Sequence, residues 1–294
     1  MSSLPPPLPP GSYPPPPPGP PPSWSSGPYG SYGGDDPLVS RDLESWVSKS
    51  VALVKLAWKP MLVVHLVAAI PTFVLSIPLA AWADDVNVRI DRAETISGGD
   101  VLQLLGASLV LGIVGVLVST WGTLCSFWIA ARTAAGADAS IADGLRFGLR
   151  RLFPYLGWVL CCGLLSAVGF LACIAPGVWL AVTFYATLLG VVAFEQGRYG
   201  STFSRCFALV KGRWWETFGR MLLLLLANLV VGGLVSVAVG LVSLGSSLLA
   251  QFFLAAVGAA IGVVTTTLLL VQYADLRNRQ HPVTTASLVG ELGA

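Results

Sequence analysis

Charge is scarce in this sequence: Asp, Glu, Lys and Arg make up 11% of it, against a hydrophobic fraction of 54%. A soluble fold holds about a quarter of its residues charged to keep its surface wet, so an ordinary soluble domain is excluded. Histidine occurs only at His65 and His281, and no Gly-rich phosphate loop is present. Nucleotide-driven or metal-dependent chemistry therefore has almost no residues to work with, and neither a cofactor nor a catalytic set is expected. The five cysteines, Cys125, Cys161, Cys162, Cys173 and Cys206, include no CxxC pair, and four fall in apolar segments. They read as buried thiols, with no disulfide framework and no metal site. The net charge of +2 is too small to suggest a nucleic-acid partner.

What is present in abundance is uninterrupted apolar sequence. Stretches free of Asp, Glu, Lys and Arg cover residues 60–83, 101–131, 152–194 and 221–274. A helix needs roughly 20 apolar residues to cross a ~30 Å hydrocarbon core, so the first two runs hold one span each and the last two hold two each. The third run is expected to break at Pro176-Gly177, where proline cannot continue the hydrogen-bond ladder, and the fourth around Gly245-Ser246-Ser247. Backbone polar groups in lipid must pair within the segment, so the runs are expected to be helices. The expected spans are about 61–83, 101–131, 153–175, 177–194, 219–243 and 248–274, in an all-α integral membrane domain over residues 41–280.

Basic residues set the orientation, because Lys and Arg are retained on the cytoplasmic side during insertion. With both termini inside, 15 of the 17 basic residues lie inside, and only Arg89 and Arg92 outside. The sequence opens on prolines and not on a basic stretch followed by an apolar core, so the first span is expected to act as an uncleaved anchor. Residues 1–40 hold 15 of the 21 prolines and are expected to form a disordered cytoplasmic arm with polyproline II character. That arm is either a docking segment for a proline-recognising or self-associating protein partner or a solvated tail. Residues 281–294 are expected to be a short cytoplasmic tail.

The chain also resembles itself. An offset of 62 aligns Ile141 with Phe203, Leu145 with Phe207, Arg151 with Arg213 and Gly157 with Gly219, and an offset of 156 places Ala52-Leu53-Val54-Lys55 on Ala208-Leu209-Val210-Lys211. The expected architecture is three hairpin repeats, each preceded by a basic amphipathic cytoplasmic helix. In these leading segments Lys49, Lys55, Lys59, Arg146, Arg150, Arg151, Arg205, Lys211 and Arg213 oppose apolar residues such as Trp46 and Leu145. They are candidates for anionic lipid headgroups, or else parts of elbows packed on the bundle. Asn228, Gly232, Ser236 and Gly240 form a stripe of small or polar residues, and Gly258 and Gly262 a GxxxG, candidates for helix packing or for lining a lipid groove. His65 reads as an interfacial histidine one turn inside the first span, and Arg220 as a residue able to snorkel to the headgroups.

The segments Pro176-Gly177-Val178-Trp179-Leu180, VVAFEQG over residues 191–197 and FSRCFALVKGRWWETFG over residues 203–219 resemble a group of bacterial six-span proteins. These are the YciC-like inner-membrane family and the membrane domain of glycerophosphoryl diester phosphodiesterases. The resemblance covers roughly residues 40–280 and implies a bacterial inner-membrane location and the six-span fold. The hydrolytic domain of that family has no counterpart here, so no catalytic residue is carried over. Three functions fit: a non-enzymatic protein that organises or senses the cytoplasmic leaflet, a transporter or channel for a lipid or apolar solute, and an accessory membrane subunit of a separate enzyme.

Overall fold

Runs this apolar can satisfy their backbone N–H and C=O groups away from water only by pairing them within one segment. A computed structural model describes residues 36–40, 42–92, 97–195, 201–243 and 247–292, all within one unit covering residues 35–294. Among these residues every regular element is an α-helix: α1 (Leu43–Asp91), α2 (Gly98–Ala134), α3 (Ile141–Ala172), α4 (Ile174–Phe194), α5 (Ser201–Val210), α6 (Trp214–Ser243), α7 (Ser247–Gln280) and α8 (Thr285–Leu292). All but α5 and α8 are long and apolar enough to cross a membrane, which places the chain among multi-pass membrane proteins. The arm up to residue 35, Arg41, Arg198 and the expected turn at Gly245-Ser246 lie outside the described residues.

The helices begin and end differently from the charge-free runs. Helix α1 runs unbroken through Pro60, Pro71 and Pro78, and α3 through Pro154. Two of the three basic leading segments are therefore the first turns of a long helix, and only the third is a helix of its own, α5. The reason is one residue. Gly212, just after α5, has φ 77°, a left-handed conformation that lets the chain turn before α6. The offsets of 62 and 156 put Arg150 and Leu56 at the corresponding positions, and neither side chain favours that turn. The break between α3 and α4 falls at Cys173, three residues before the expected Pro176. Cys173 is extended (φ −172°, ψ 151°), and Pro176 sits in the first turn of α4, where no N–H is needed.

Helices α1 and α2, α3 and α4, and α6 and α7 each pack as a pair, and α7 also lies against α1, α2, α4 and α5. Close approach at the centre depends on glycine: a Cβ on Gly190 of α4 would fall 2.1 Å from the Tyr273 ring of α7. Tyr273 stacks on Phe194 at 5.3 Å, and Phe194 meets Phe127 of α2 edge-on at 5.4 Å. The outward faces of α1, α2, α3 and α6 expose leucine and valine, as lipid-facing surfaces require.

Helix α1 does not follow α7 along its whole length. The Trp46 indole N–H donates to Leu268 O at 3.2 Å, while His65 lies against Gly262. Nineteen residues of α1, ~28 Å of helix, thus meet positions on α7 only ~9 Å apart, so the segment before Pro60 crosses obliquely. His65 packs inside the bundle against Gly262, which is 13 residues, ~20 Å, from Asp275 along α7. It rests between Gly262 and Gly122 of α2.

The two expected tails are also partly structured. Leu38 is fully buried, and the Asp36 carboxylate accepts hydrogen bonds from Leu38 N–H at 3.0 Å and from Thr285 N–H at 2.6 Å, capping α8. The Lys49 ammonium donates to Asp36 O at 2.7 Å and to Val39 O. Leu288 of α8 is fully buried, and Glu291 forms a two-pronged pair with Arg277, both contacts 2.7 Å. Residues 36–40 and 285–292 therefore belong to the bundle and not to tails.

Replacing Gly190 with Ala should destabilise the bundle by about 1–3 kcal/mol through overpacking against Tyr273, read as a lower melting temperature in detergent; an unchanged melting temperature would contradict this packing.

Candidate functional site: a charged end and an apolar cleft

Most of the charged residues gather at the end where α1, α3 and α6 begin and α2, α4 and α7 finish, called here the charged end; a smaller set, in which Arg89 pairs with Asp85 at 3.2 Å and with Asp100 at 3.3 Å, lies where α1 ends and α2 begins. Arg220, expected to snorkel, is instead only 2% exposed. Its Nη1 donates to Asp275 Oδ2 at 2.6 Å and to Gln272 Oε1 at 3.0 Å, and its Nη2 to Glu216 Oε1 at 2.9 Å. The guanidinium also lies 5.8 Å from the centre of the Trp46 ring. Arg279 completes the set, with Nε 2.8 Å from Asp275 Oδ1 and Nη2 3.2 Å from Glu216 Oε1. Two carboxylates and two guanidiniums thus alternate across α6 and α7. A buried charge is held without great cost only when paired and hydrogen-bonded in this way.

A second cluster joins α4, α5, α7 and α8. Glu195 accepts from Arg205 Nε at 2.5 Å and from the Tyr273 hydroxyl at 2.8 Å, and that hydroxyl accepts from Arg277 at 3.2 Å. Arg205 also donates to Gln280 at 2.7 Å. Sequence reasoning missed both clusters because their members come from different helices, and Asp275 falls one residue beyond a charge-free run.

The nine basic candidates divide accordingly. Lys49 and Arg205 are drawn into internal contacts, and Arg151 lies half-buried 6.0 Å from the Phe147 ring. Lys55, Lys59, Arg146, Arg150, Lys211 and Arg213 are exposed at the charged end. Arg213 pairs with Glu216 at 2.9 Å, and Arg146 faces Asp143 at 3.6 Å. Helix α5 does not offer its apolar side to lipid: Phe203 meets Trp158 edge-on at 4.8 Å, and Phe207 stacks on Trp179 at 5.0 Å. The buried Cys206 on the same helix has its thiol pushed up to about 11 by desolvation, so it stays protonated near neutral pH. All five cysteines are free, with Cys161 and Cys173 exposed, and among the described residues no group of three His, Cys, Asp or Glu could hold a metal.

The small-residue candidates also separate. A Cβ on Gly232, Gly240 or Gly258 would meet no atom within 4 Å, whereas one on Gly262 would come within 2.7 Å of the His65 ring. Asn228 and Ser236 donate to carbonyls of their own helix, Leu224 O and Gly232 O, both at 2.8 Å. Asn228 nevertheless lines a space between helices. The oblique start of α1, α6 and α7 enclose a cleft of about 650 Å³ whose walls include Val51, Val54, Leu223, Ala227, Ala260 and Val264, with Lys55 as its charged member. The walls offer contact to aliphatic chains, and the lysine offers one positive charge to whatever enters.

Compared with family models, curated proteins and solved structures, the chain matches none.

Replacing Arg220 or Asp275 singly with Ala strands the other charge in the interior and should cost about 3–5 kcal/mol, measured by thermal or denaturant unfolding in detergent. Replacing Arg213, whose pair with Glu216 is largely solvated, should cost under about 1 kcal/mol.

Proposed function

We propose that the protein is a non-enzymatic integral membrane protein that organises the leaflet at its charged end by holding anionic phospholipid there. The observation that carries this reading is the apolar cleft beneath Lys55. An acyl chain fits walls of valine, leucine and alanine, and a phosphate fits the ammonium at Lys55. Lys59, Arg146, Arg150 and Lys211, exposed at the same end, extend the positive surface. Each basic residue near a membrane surface adds about 1 kcal/mol of attraction for anionic lipid. The reading includes a bacterial cytoplasmic membrane with the charged end and both termini inside, on the strength of the basic-residue asymmetry and the family resemblance of residues 40–280.

Native mass spectrometry of the full chain released from its own membrane should find stoichiometric phospholipid. Ala227→Phe with Ala260→Phe, which fill the cleft, should remove it, and neutralising Lys55, Lys59, Arg146, Arg150 and Lys211 should abolish preference for anionic over zwitterionic lipid. Unchanged lipid retention in both variants would overturn the reading. The orientation has its own check, in a chain whose exposed Cys161 and Cys173 are serine. A membrane-impermeant thiol reagent applied to intact cells should label Asp85→Cys and spare Lys211→Cys; the reverse pattern would invert the topology.

A further inference from the structure

One buried face runs along α1 without a break at Pro60: Trp46, Ser50, Leu53, Ala57, Met61, Val64 and Ala68 all pack into the bundle. The side turned away from the bundle changes character at that proline. Before it this side carries Glu44, Ser48, Lys55 and Lys59, all exposed. After it the same side carries Leu66, Ile70 and Ile77, exposed and apolar. Hydrocarbon tolerates only the second kind of surface, so the edge of the hydrocarbon falls at Pro60.

The direction of α1 changes at the same place. Beyond Pro60, α1 and α7 run antiparallel and in step, residues 65 to 76 of one against 262 to 251 of the other, from His65 on Gly262 to Ser76 donating to Gln251 Oε1. Counted back in the same step, Pro60 falls level with Thr267 of α7. At the far end of the oblique segment, the Trp46 indole N–H meets Leu268 O at 3.2 Å. Both ends of the segment therefore lie at one depth, and residues between them run across α7 instead of along it.

A helix lying in the membrane plane needs an apolar edge toward the acyl chains and a wet edge opposite. Leu43, Val47, Val51 and Trp58 share one edge of this segment, with Leu43 50% and Val51 46% exposed. On the opposite side Lys49 donates to the carbonyls of Asp36 and Val39, and the Asp36 carboxylate in turn caps α8. Charged and polar groups thus close the side away from lipid. Lys55 and Lys59 lie between the two edges, and Lys59 Nζ is 5.8 Å from the centre of the Trp58 ring. A cation beside an amphipathic ring suits the headgroup level.

We infer that residues 43–58 form an interfacial helix seated at the headgroup–acyl boundary of the leaflet at the charged end. Leu43, Val51 and Trp58 contact acyl chains, while Ser48, Lys55 and Lys59 face headgroups and water. The partner of this surface is the bilayer itself. The apolar edge is continuous with the cleft through Val47 and Val51, but its seating does not require lipid to be held there.

The test is spin-label depth in the full chain reconstituted into phosphatidylglycerol–phosphatidylethanolamine liposomes. In the Cys161→Ser, Cys173→Ser background, Leu43→Cys, Ser48→Cys, Val51→Cys, Trp58→Cys, Lys59→Cys and Ile70→Cys are labelled one at a time, all at exposed positions that carry no core packing. Labels at Leu43, Val51 and Trp58 should collide severalfold more with oxygen, which partitions into hydrocarbon, than with a water-soluble nickel chelate. Those at Ser48 and Lys59 should show the reverse, and Ile70, past Pro60, gives the hydrocarbon reference. Water exposure at Leu43, Val51 and Trp58 equal to that at Ser48 would overturn the inference by standing the segment in water. Oxygen exposure at Ser48 and Lys59 equal to that at Ile70 would overturn it by making the segment part of the span. Phospholipid retained in the cleft is read separately by mass spectrometry, so its loss would leave these depths unmoved.

Discussion

A guanidinium withdrawn from water cannot stand alone, and Arg220 meets that constraint by reaching across to α7. Its contacts with Asp275 and Gln272, and its place beside the Trp46 ring, bring α6, α7 and the start of α1 to one point. Beyond its first turns, where Trp214 donates to Trp179 O of α4, α6 turns its leucines and valines outward along most of its length. The α6–α7 pair can therefore leave room further along, where a Cβ on Gly232 would meet no atom within 4 Å, while remaining clamped at the charged end. The apolar cleft is the space that this clamp and the oblique start of α1 leave between them. Stability and the candidate site thus share one origin: pairing a buried charge fixes the helices at an end, and the divergence beyond it makes room.

The helical class and the number of spanning helices were legible because they depend on a bulk property, the length of sequence without charge. The local break that can be compared was legible only to within three residues. Pro176 marked the neighbourhood of the α3–α4 turn, but proline is compatible with a first helical turn and the chain bends at Cys173. The three basic segments looked equivalent because sequence similarity weighs apolar and basic character. Whether such a segment separates from its span depends on a left-handed residue, and only Gly212 supplies one. Lys49 and Arg205 read as surface charges for a related reason. Their partners, the backbone of Asp36 and the side chain of Glu195, are set by tertiary contacts that no periodicity encodes.

His65 shows how a single geometric fact changes the meaning of a residue. Counted from Pro60 it sits at a membrane boundary, where a histidine is unremarkable. Because the segment before Pro60 crosses the bundle instead of leading into it, the same imidazole is set between two glycines of other helices. Its Nε2 is buried with no partner among the described residues, so close packing against glycine, and not a hydrogen bond from that nitrogen, accounts for its place.

The cleft between α1, α6 and α7 has walls that acyl chains can wet without penalty, so any selectivity it has must come from the charge at Lys55 and not from the walls. The hydroxyls of Ser119, Thr123 and Ser166 elsewhere in the bundle do not change this, because each donates to a carbonyl of its own helix and asks for no further partner. Discrimination between one headgroup and another therefore falls to the cations, whose positions are set by how α1 crosses the bundle and by where α5 leaves α6.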